Sequence, residues 1–243
     1  MSASQLSDPI PPEKTRKEYM EGIAYVAYSY GFVPIPLRGK IPVTKGWTDL
    51  RHTPIEDSQD IAVGKYPKHV RRVSNLINFK AANNVGIVTG EASGVVVLDI
   101  DVVNDGLEKW RQLLDANTDG KGLPKTLTVQ TPSGGFHFYF RYTPDLANIG
   151  NINRLYGYPF DYRTNNGMIV FPGSIDKQNR QYKILSGYEP SPDNSSVNEM
   201  YIAYMPTWLK TLLVMDRITK ENKKLEVNVD TITEKARQLQ ITL

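Results

Sequence analysis

Apolar positions recur at three- and four-residue spacing over residues 13–30, where Tyr19, Ile23, Val26, Ala27 and Tyr30 share one face. That period predicts an amphipathic helix, and Gly31 stops it. Residues 32–37 alternate apolar side chains with Pro34 and Pro36. Proline brings no N–H to a ladder, so the segment reads as an edge or terminal strand. Residues 38–83 show little period, apart from a helical pattern near 71–80. Short apolar runs bounded by turn residues then predict strands near 85–89 and 94–100. Asn104-Asp105-Gly106 is a turn by composition, and Leu107, Trp110, Leu113 and Leu114 predict a helix over 107–116. Strands near 126–131 and 135–142 form a hairpin through Pro132-Ser133-Gly134. Further strands fall near 160–163, 168–172 and 181–185, and a short apolar helix over 207–215. Strands gathered between helices, many within hairpin reach of one another, predict an α+β fold with a mixed, largely antiparallel sheet and flanking helices.

The two ends differ from this body. Residues 1–12 are polar and end in Pro9, Pro11 and Pro12, which reads as a flexible leader; there is no charged segment followed by an apolar core, hence no signal peptide. Residues 216–243 carry Arg217, Lys220, Glu221, Lys223, Lys224 and Glu226. They read as a charged C-terminal extension or as the start of a truncated helical domain.

Composition narrows the function classes. Of 243 residues, 40% are hydrophobic and 23% charged, ordinary for a globular domain. The net charge is only +3, so any nucleic acid must meet a local basic face rather than a basic coat. The absence of cysteine excludes disulfides and Cys-ligated zinc or iron–sulfur sites. No apolar run approaches the roughly 18 residues of a membrane span, and the expected location is cytoplasmic. No Walker A pattern occurs, so a helicase motor is not encoded here.

One strand carries the chemistry. Val95-Val96-Val97-Leu98-Asp99-Ile100-Asp101 is a buried-strand pattern ending in two carboxylates one residue apart. Alternation puts Asp99 and Asp101 on one face, roughly 6–7 Å apart at ~3.3 Å per residue. Adjacent anions at the end of a buried strand repel and lose hydration, which a divalent cation with oxygen ligands offsets. The plainer account is that one Asp caps a loop and the other faces water.

Two later segments bear on that choice. Thr131-Pro132-Ser133-Gly134-Gly135-Phe136-His137 is a small-residue turn entering an aromatic strand with one histidine, and Phe160-Asp161-Tyr162-Arg163 precedes Asn165-Asn166-Gly167 and Met168-Ile169-Val170-Phe171. A carboxylate pair, a Gly-Gly-x-His strand and a lone Asp before an Arg, in that order, resemble the three motifs of the archaeo-eukaryotic primase superfamily. The nearer resemblance is to its bifunctional primase/polymerase domain, found in plasmid and phage replication proteins. Gly31–Leu37, Gly39-Lys40-Ile41-Pro42, Asn84–Gly90, and Ser174-Ile175-Asp176 with Arg180-Gln181-Tyr182 extend the likeness over roughly residues 20–210.

The resemblance implies a catalytic domain over residues 13–215 with an RNA-recognition-motif-like core and, cysteine being absent, no zinc stem. It implies template-directed joining of nucleoside triphosphates with release of pyrophosphate, in replication of a plasmid or phage. The partners expected are single-stranded DNA template and primer, nucleoside triphosphates, and a helicase in the same or a separate chain. Such phosphoryl transfer uses two divalent ions about 3.5–4 Å apart. Asp99, Asp101 and Asp161 are the candidate ligands, and an all-carboxylate set selects Mg²⁺ or Mn²⁺. Asp161 otherwise reads as a strand-end residue paired with Arg163.

The resemblance also makes His137 a contact to the triphosphate, with Ser133 and an N–H nest at Gly134 and Gly135 beside it; alone, a strand histidine among aromatics is a packed core residue. Arg163, Ser174 and Arg180 complete the expected nucleotide site, although Arg180 also fits a solvated hairpin turn. Lys40, Lys45, Arg71 and Arg72, with Lys65 and Lys68 nearby, are candidate DNA contacts or simply solvated cations. Three other classes compare less well. A glycosyltransferase also uses Asp-x-Asp but needs neither later motif; a rolling-circle initiator needs a His-x-His pair; a non-catalytic single-stranded-DNA module has no use for three carboxylates facing phosphate.

Overall fold

The computed structural model describes residues 16–50, 83–190 and 198–240. The chain divides into two compact units, Met1–Met205 and Pro206–Leu243. The first opens with helix α1 (Arg16–Ser29). Of the predicted apolar face, Tyr19, Ile23, Val26 and Ala27 are buried, and Tyr30, just past the helix end, is partly buried against the same core. The helix ends as its sequence requires. Gly31 adopts φ 85°, its N–H bonds the Tyr28 carbonyl, and the Phe32 N–H bonds the Ala27 carbonyl, closing a Schellman turn that a side chain at Gly31 would strain.

Eleven strands follow among the described residues: β1 (Val33–Arg38), β2 (Ile41–Pro42), β3 (Asn84–Val88), β4 (Val95–Ile100), β5 (Thr128–Gln130), β6 (Phe136–Arg141), β7 (Phe160–Arg163), β8 (Met168–Val170), β9 (Lys183–Ser186), β10 (Tyr188–Pro190) and β11 (Asn198–Met200). Between them lie helix α2 (Gly106–Thr118) and the single turn α3 (Pro144–Ala147). The fold is α+β, with the strands in two main sheets instead of one. These run in the orders β2-β1-β3-β8 and β7-β4-β6-β5-β9, beside a separate β10-β11 pair. Every named ladder is antiparallel.

The prolines of β1 fit this arrangement. Pro36 opposes Val85, whose N–H bonds Ser174 Oγ and whose carbonyl accepts from Phe171. Val85 thus turns its backbone groups toward β8, and Pro36 turns its missing N–H away from β3. On the β2 side the Pro36 carbonyl accepts from the Val43 N–H just past β2 at 3.1 Å, so β1 keeps a bond at Pro36 on its outer side without needing a proline N–H toward β3.

Alternation along β4 divides the interior. Val95 and Val97 join the main core with α1, β1, β3, Val129 and Tyr139. On the other face, α2 covers the sheet through Trp110, whose ring lies 5.4 Å from Phe138 and 5.9 Å from Phe160. Both faces are buried through Leu98, which is why the run reads as continuously apolar. Asp99 interrupts the Val95–Val97 face.

The second unit carries α4, Thr207–Gln240, so the helix predicted over 207–215 continues through most of the charged tail. No Gly or Pro occurs after Pro206, and Asp216–Lys220 and Arg217–Glu221 pair at i,i+4 spacing, at 2.7 and 2.5 Å. The compact units divide between Met205 and Pro206. The helix predicted near 71–80 lies outside the described residues, as do Lys65, Lys68, Arg71 and Arg72. No described helix is long and apolar enough to cross a membrane.

Candidate functional site

Strand register builds one polar rung. Asp99 of β4 is the direct partner of His137 on β6 and of Asp161 on β7. Residues opposed in antiparallel strands point to the same side, so Asp161, Asp99 and His137 lie in a row. Asp101, two residues beyond Asp99, extends the row along β4; its N–H is held by the Pro159 carbonyl at 2.9 Å. All four side chains line one open cleft of about 430 Å³ between the sheets, together with Lys40, Trp47, Arg163, Tyr182 and the β8 residues Met168, Ile169 and Val170. That volume falls within the range of small-molecule sites.

The row is electrostatically unfavourable as it stands. Burial lifts the Asp99 carboxyl from 3.8 to about 6; Lys40 and Arg163 oppose the rise and Asp161 adds to it. Asp101 is raised as well, by burial first and then by Asp99. Asp99 Oδ1 is buried without a hydrogen-bond partner. His137 Nε2 lies 3.5 Å from that oxygen, too far and too poorly aligned for a good hydrogen bond. The contact is not an ion pair either: burial, reinforced by Lys40, pushes the imidazole down to about 3, so it is neutral at physiological pH. His137 is 3% exposed, its Nδ1 also lacks a partner, and the Tyr182 ring lies against it at 5.6 Å. It forms the floor of the cleft.

Asp161 is held differently. Its Oδ2 accepts from Arg163 Nη2 at 2.5 Å and its Oδ1 from the Arg154 N–H at 3.0 Å, while Arg163 Nη1 donates to Asn153 Oδ1 at 2.7 Å. The strand-end pairing anticipated as the plainer account therefore exists, inside the cleft. Among the described residues no three His, Asp or Glu side chains stand ready to share one ion. The donor chemistry nevertheless fits a hard divalent cation. Asp99 and Asp101 offer carboxylate oxygens on one face, one of them buried and unpartnered, and the charged form of both is disfavoured by burial and by neighbouring carboxylates. Asp161 accepts one bond on each oxygen and keeps lone pairs with which to join that set.

Other expected contacts fall elsewhere. The Gly134 N–H bonds the Thr131 carbonyl and the Gly135 N–H bonds Thr131 Oγ1, so the turn consumes both donors and presents no anion nest. A Cβ on Gly135 would lie 2.2 Å from the Ile100 carbonyl oxygen; the residue is glycine because β4 passes so close. Ser133 contacts Thr131 Oγ1 and borders a neighbouring cavity that shares Lys40 and Tyr182 with the cleft. Ser174 is fully buried and satisfies both backbone groups of Val85, which removes it from the nucleotide contacts. Arg180 closes the Asp176 hairpin through a 2.7 Å ion pair outside the cleft. Lys45 is exposed and does not line it.

The cleft also contains two residues that the sequence patterns did not mark, Trp47 and Asn151, and Tyr182 of the closing Arg180-Gln181-Tyr182 motif, to which those patterns assign no role. The signals were weak. Trp47 follows Gly46 shortly after the lysine loop, and Asn151 opens an Asn-Ile-Asn-Arg segment. Asn151 holds the Thr164 N–H at 2.8 Å, fixing the end of β7.

No curated protein matches the chain. Residues 22–208 match the family described as bifunctional DNA primase/polymerase, N-terminal, an interval that contains both sheets and every residue lining the cleft. The rung of carboxylates thus sits within the matched region, in a fold of the expected class, and the chain belongs to the bifunctional DNA primase/polymerase family.

Proposed function

We propose that the cleft is the catalytic centre of template-directed nucleotidyl transfer on DNA. The family membership supports a DNA primase/polymerase of the nucleotidyltransferase type. The observation that carries the site is the Asp161–Asp99–His137 rung with Asp101 beside it, a concentration of negative charge flanked by Lys40 and Arg163. Members of the family generally use divalent metals. Asp99 and Asp101 would hold such ions, Mg²⁺ or Mn²⁺, with Asp161 as the third ligand. When bound, two ions supply the charge that activates the primer 3′-hydroxyl and neutralises the departing pyrophosphate.

In the reaction the 3′-oxygen bonds the α-phosphorus, the α–β bridging P–O bond breaks, the hydroxyl proton passes to solvent, and pyrophosphate leaves. Arg163 offers a planar fork to phosphate oxygens once Asp161 turns away from it. Lys40, which lines the same cleft, adds a point charge toward the same anion, so its role is assigned to the triphosphate instead of the DNA. Neutral His137 acts as a hydrogen-bonding floor beside Asp99. The Asp-x-Asp motif shared with glycosyltransferases has no comparable support, since the match covers the later motifs as well. Replication of a plasmid or phage is the setting that fits such a domain.

Incubation with a primed single-stranded template, deoxynucleotides or ribonucleotides, and Mg²⁺ or Mn²⁺ tests the proposal. The wild type extends the primer, and Asp101→Ala or Asp161→Ala abolishes extension while circular dichroism shows the fold intact. A folded Asp101→Ala protein extending at the wild-type rate would remove the assignment.

A further inference from the structure

The cleft lining is of two chemical kinds: Lys40, Asp101 and Arg163 with the Asp99 rung are charged, whereas Trp47 and the β8 residues Met168, Ile169 and Val170 are apolar. A nucleoside triphosphate has the same division, an anionic tail and a flat, largely apolar base. If metals and triphosphate take the charged side chains, as the proposed function requires, the apolar ones are left for the base.

Two aromatic side chains among the described residues line the cleft, Trp47 and Tyr182. Tyr182 is only 2% exposed and lies against His137, so little of its ring is open to a ligand. Trp47 is half-buried. It packs against the main core and, only partly covered by it, lines the cleft. It opens a short helical turn, Trp47–Asp49, entered through Gly46 at φ 67° and closed by the Leu50 N–H on the Trp47 carbonyl. The turn fixes the backbone that carries the indole, so a stacking surface here is preorganised and loses little freedom on binding.

We infer that Trp47 is the stacking platform for the base of the incoming nucleotide, in the same cleft as the phosphate-holding charges. This rests on the proposed catalytic reading of the cleft. Every base has a π-face, so such a platform contributes affinity without choosing among the four bases. Selection among them is left to pairing with the template, as a templated enzyme needs. A purely structural Trp47 would instead only support the wall beside β8.

Calorimetric titration separates these accounts. Without template, and with Mn²⁺ present, each of the four deoxynucleoside triphosphates and inorganic tripolyphosphate is titrated into wild type, Trp47→Ala and Trp47→Phe. A base platform predicts that Trp47→Ala weakens all four nucleotides by roughly 5- to 150-fold. Tripolyphosphate, which has no base, changes less than about two-fold, and Trp47→Phe recovers most of the nucleotide affinity. Equal losses for nucleotides and tripolyphosphate make Trp47 a structural residue and overturn the inference. Nucleotide binding unchanged by Trp47→Ala overturns the platform while leaving the catalytic reading intact. Wild-type protein that binds neither nucleotide nor tripolyphosphate overturns both.

Discussion

Replacing Asp99 by asparagine should stabilise the metal-free protein, although the same change removes a proposed metal ligand. Asp99 opposes Asp161 across the β4–β7 ladder and is followed on its own face by Asp101. Its side chain is 21% exposed, and burial moves its carboxyl from 3.8 to about 6. A carboxyl raised on folding favours the protonated native state. The penalty is absent below about pH 3.8, where folded and unfolded chains both hold the proton. It grows as pH rises toward 6 and is complete above that. A gap of roughly two pH units corresponds to about 3 kcal/mol. An asparagine side chain keeps the shape, never ionises, and can donate to the carboxylates that Asp99 repels. Urea unfolding in EDTA should therefore find the Asp99→Asn variant and wild type nearly equal at pH 4, with the variant gaining up to about 3 kcal/mol by pH 7.5. For a chain of this length that is on the order of 6–12 °C in Tm. Adding Mn²⁺ should then raise the stability of the wild type and not of the variant, because only a native state that binds the ion gains from it. A variant less stable than wild type at pH 7.5, or a difference that does not change with pH, would refute the reasoning.

Two further outcomes follow from the site geometry. Gly135→Ala should cost at least about 1–3 kcal/mol in urea unfolding, because its Cβ would meet the Ile100 carbonyl oxygen at 2.2 Å; an unchanged midpoint would return the Gly-Gly turn to a direct role in anion binding. In nucleotide titrations with Mn²⁺, Arg163→Ala should weaken binding by roughly 10- to 150-fold, as loss of a charge-assisted phosphate contact does, whereas His137→Ala, losing a neutral hydrogen bond, should cost only about 2- to 12-fold. Losses in the reverse order would mean that the imidazole is charged in the complex.

The parts of this molecule written in short-range pattern were legible before any coordinates. The alternation through Val95, Val97, Asp99 and Asp101 put both carboxylates on one face, and the spacing from Tyr19 to Ala27 gave the buried side of α1. What sequence did not supply was register between distant strands. Nothing local to Phe160–Arg163 says that Asp161 stands opposite Asp99 instead of Leu98, and a shift of one residue would have turned it to the α2 side of the sheet. The Gly134-Gly135 pair depends on tertiary placement in the same way. Glycine marks close approach of something to the backbone, and here it is the neighbouring strand, with Thr131 taking the N–H groups. Ser174 has the right type for a phosphate contact, but its hydroxyl is used to complete the backbone bonding of Val85.

These placements share one cause. Motif residues are selected by chemistry, whereas tertiary placement decides whether the chemistry faces a ligand or the chain itself. The Val95–Val97 face of β4 calls for another apolar residue at position 99, and an apolar residue there would extend the core toward β8. An aspartate stands there instead, its Oδ1 buried without a partner, beside a histidine held neutral and in line with a second carboxylate. Local fit and stability both argue against that choice. A residue that breaks the pattern of its own strand, with a buried oxygen left without a hydrogen bond in the free protein, is expected where a ligand completes the arrangement. Gly135 and Ser174 break no such rule, since each is fully accounted for by the backbone it touches. The unsatisfied Asp99 oxygen, more than the motif that contains it, is the observation that supports placing the proposed chemistry in this cleft.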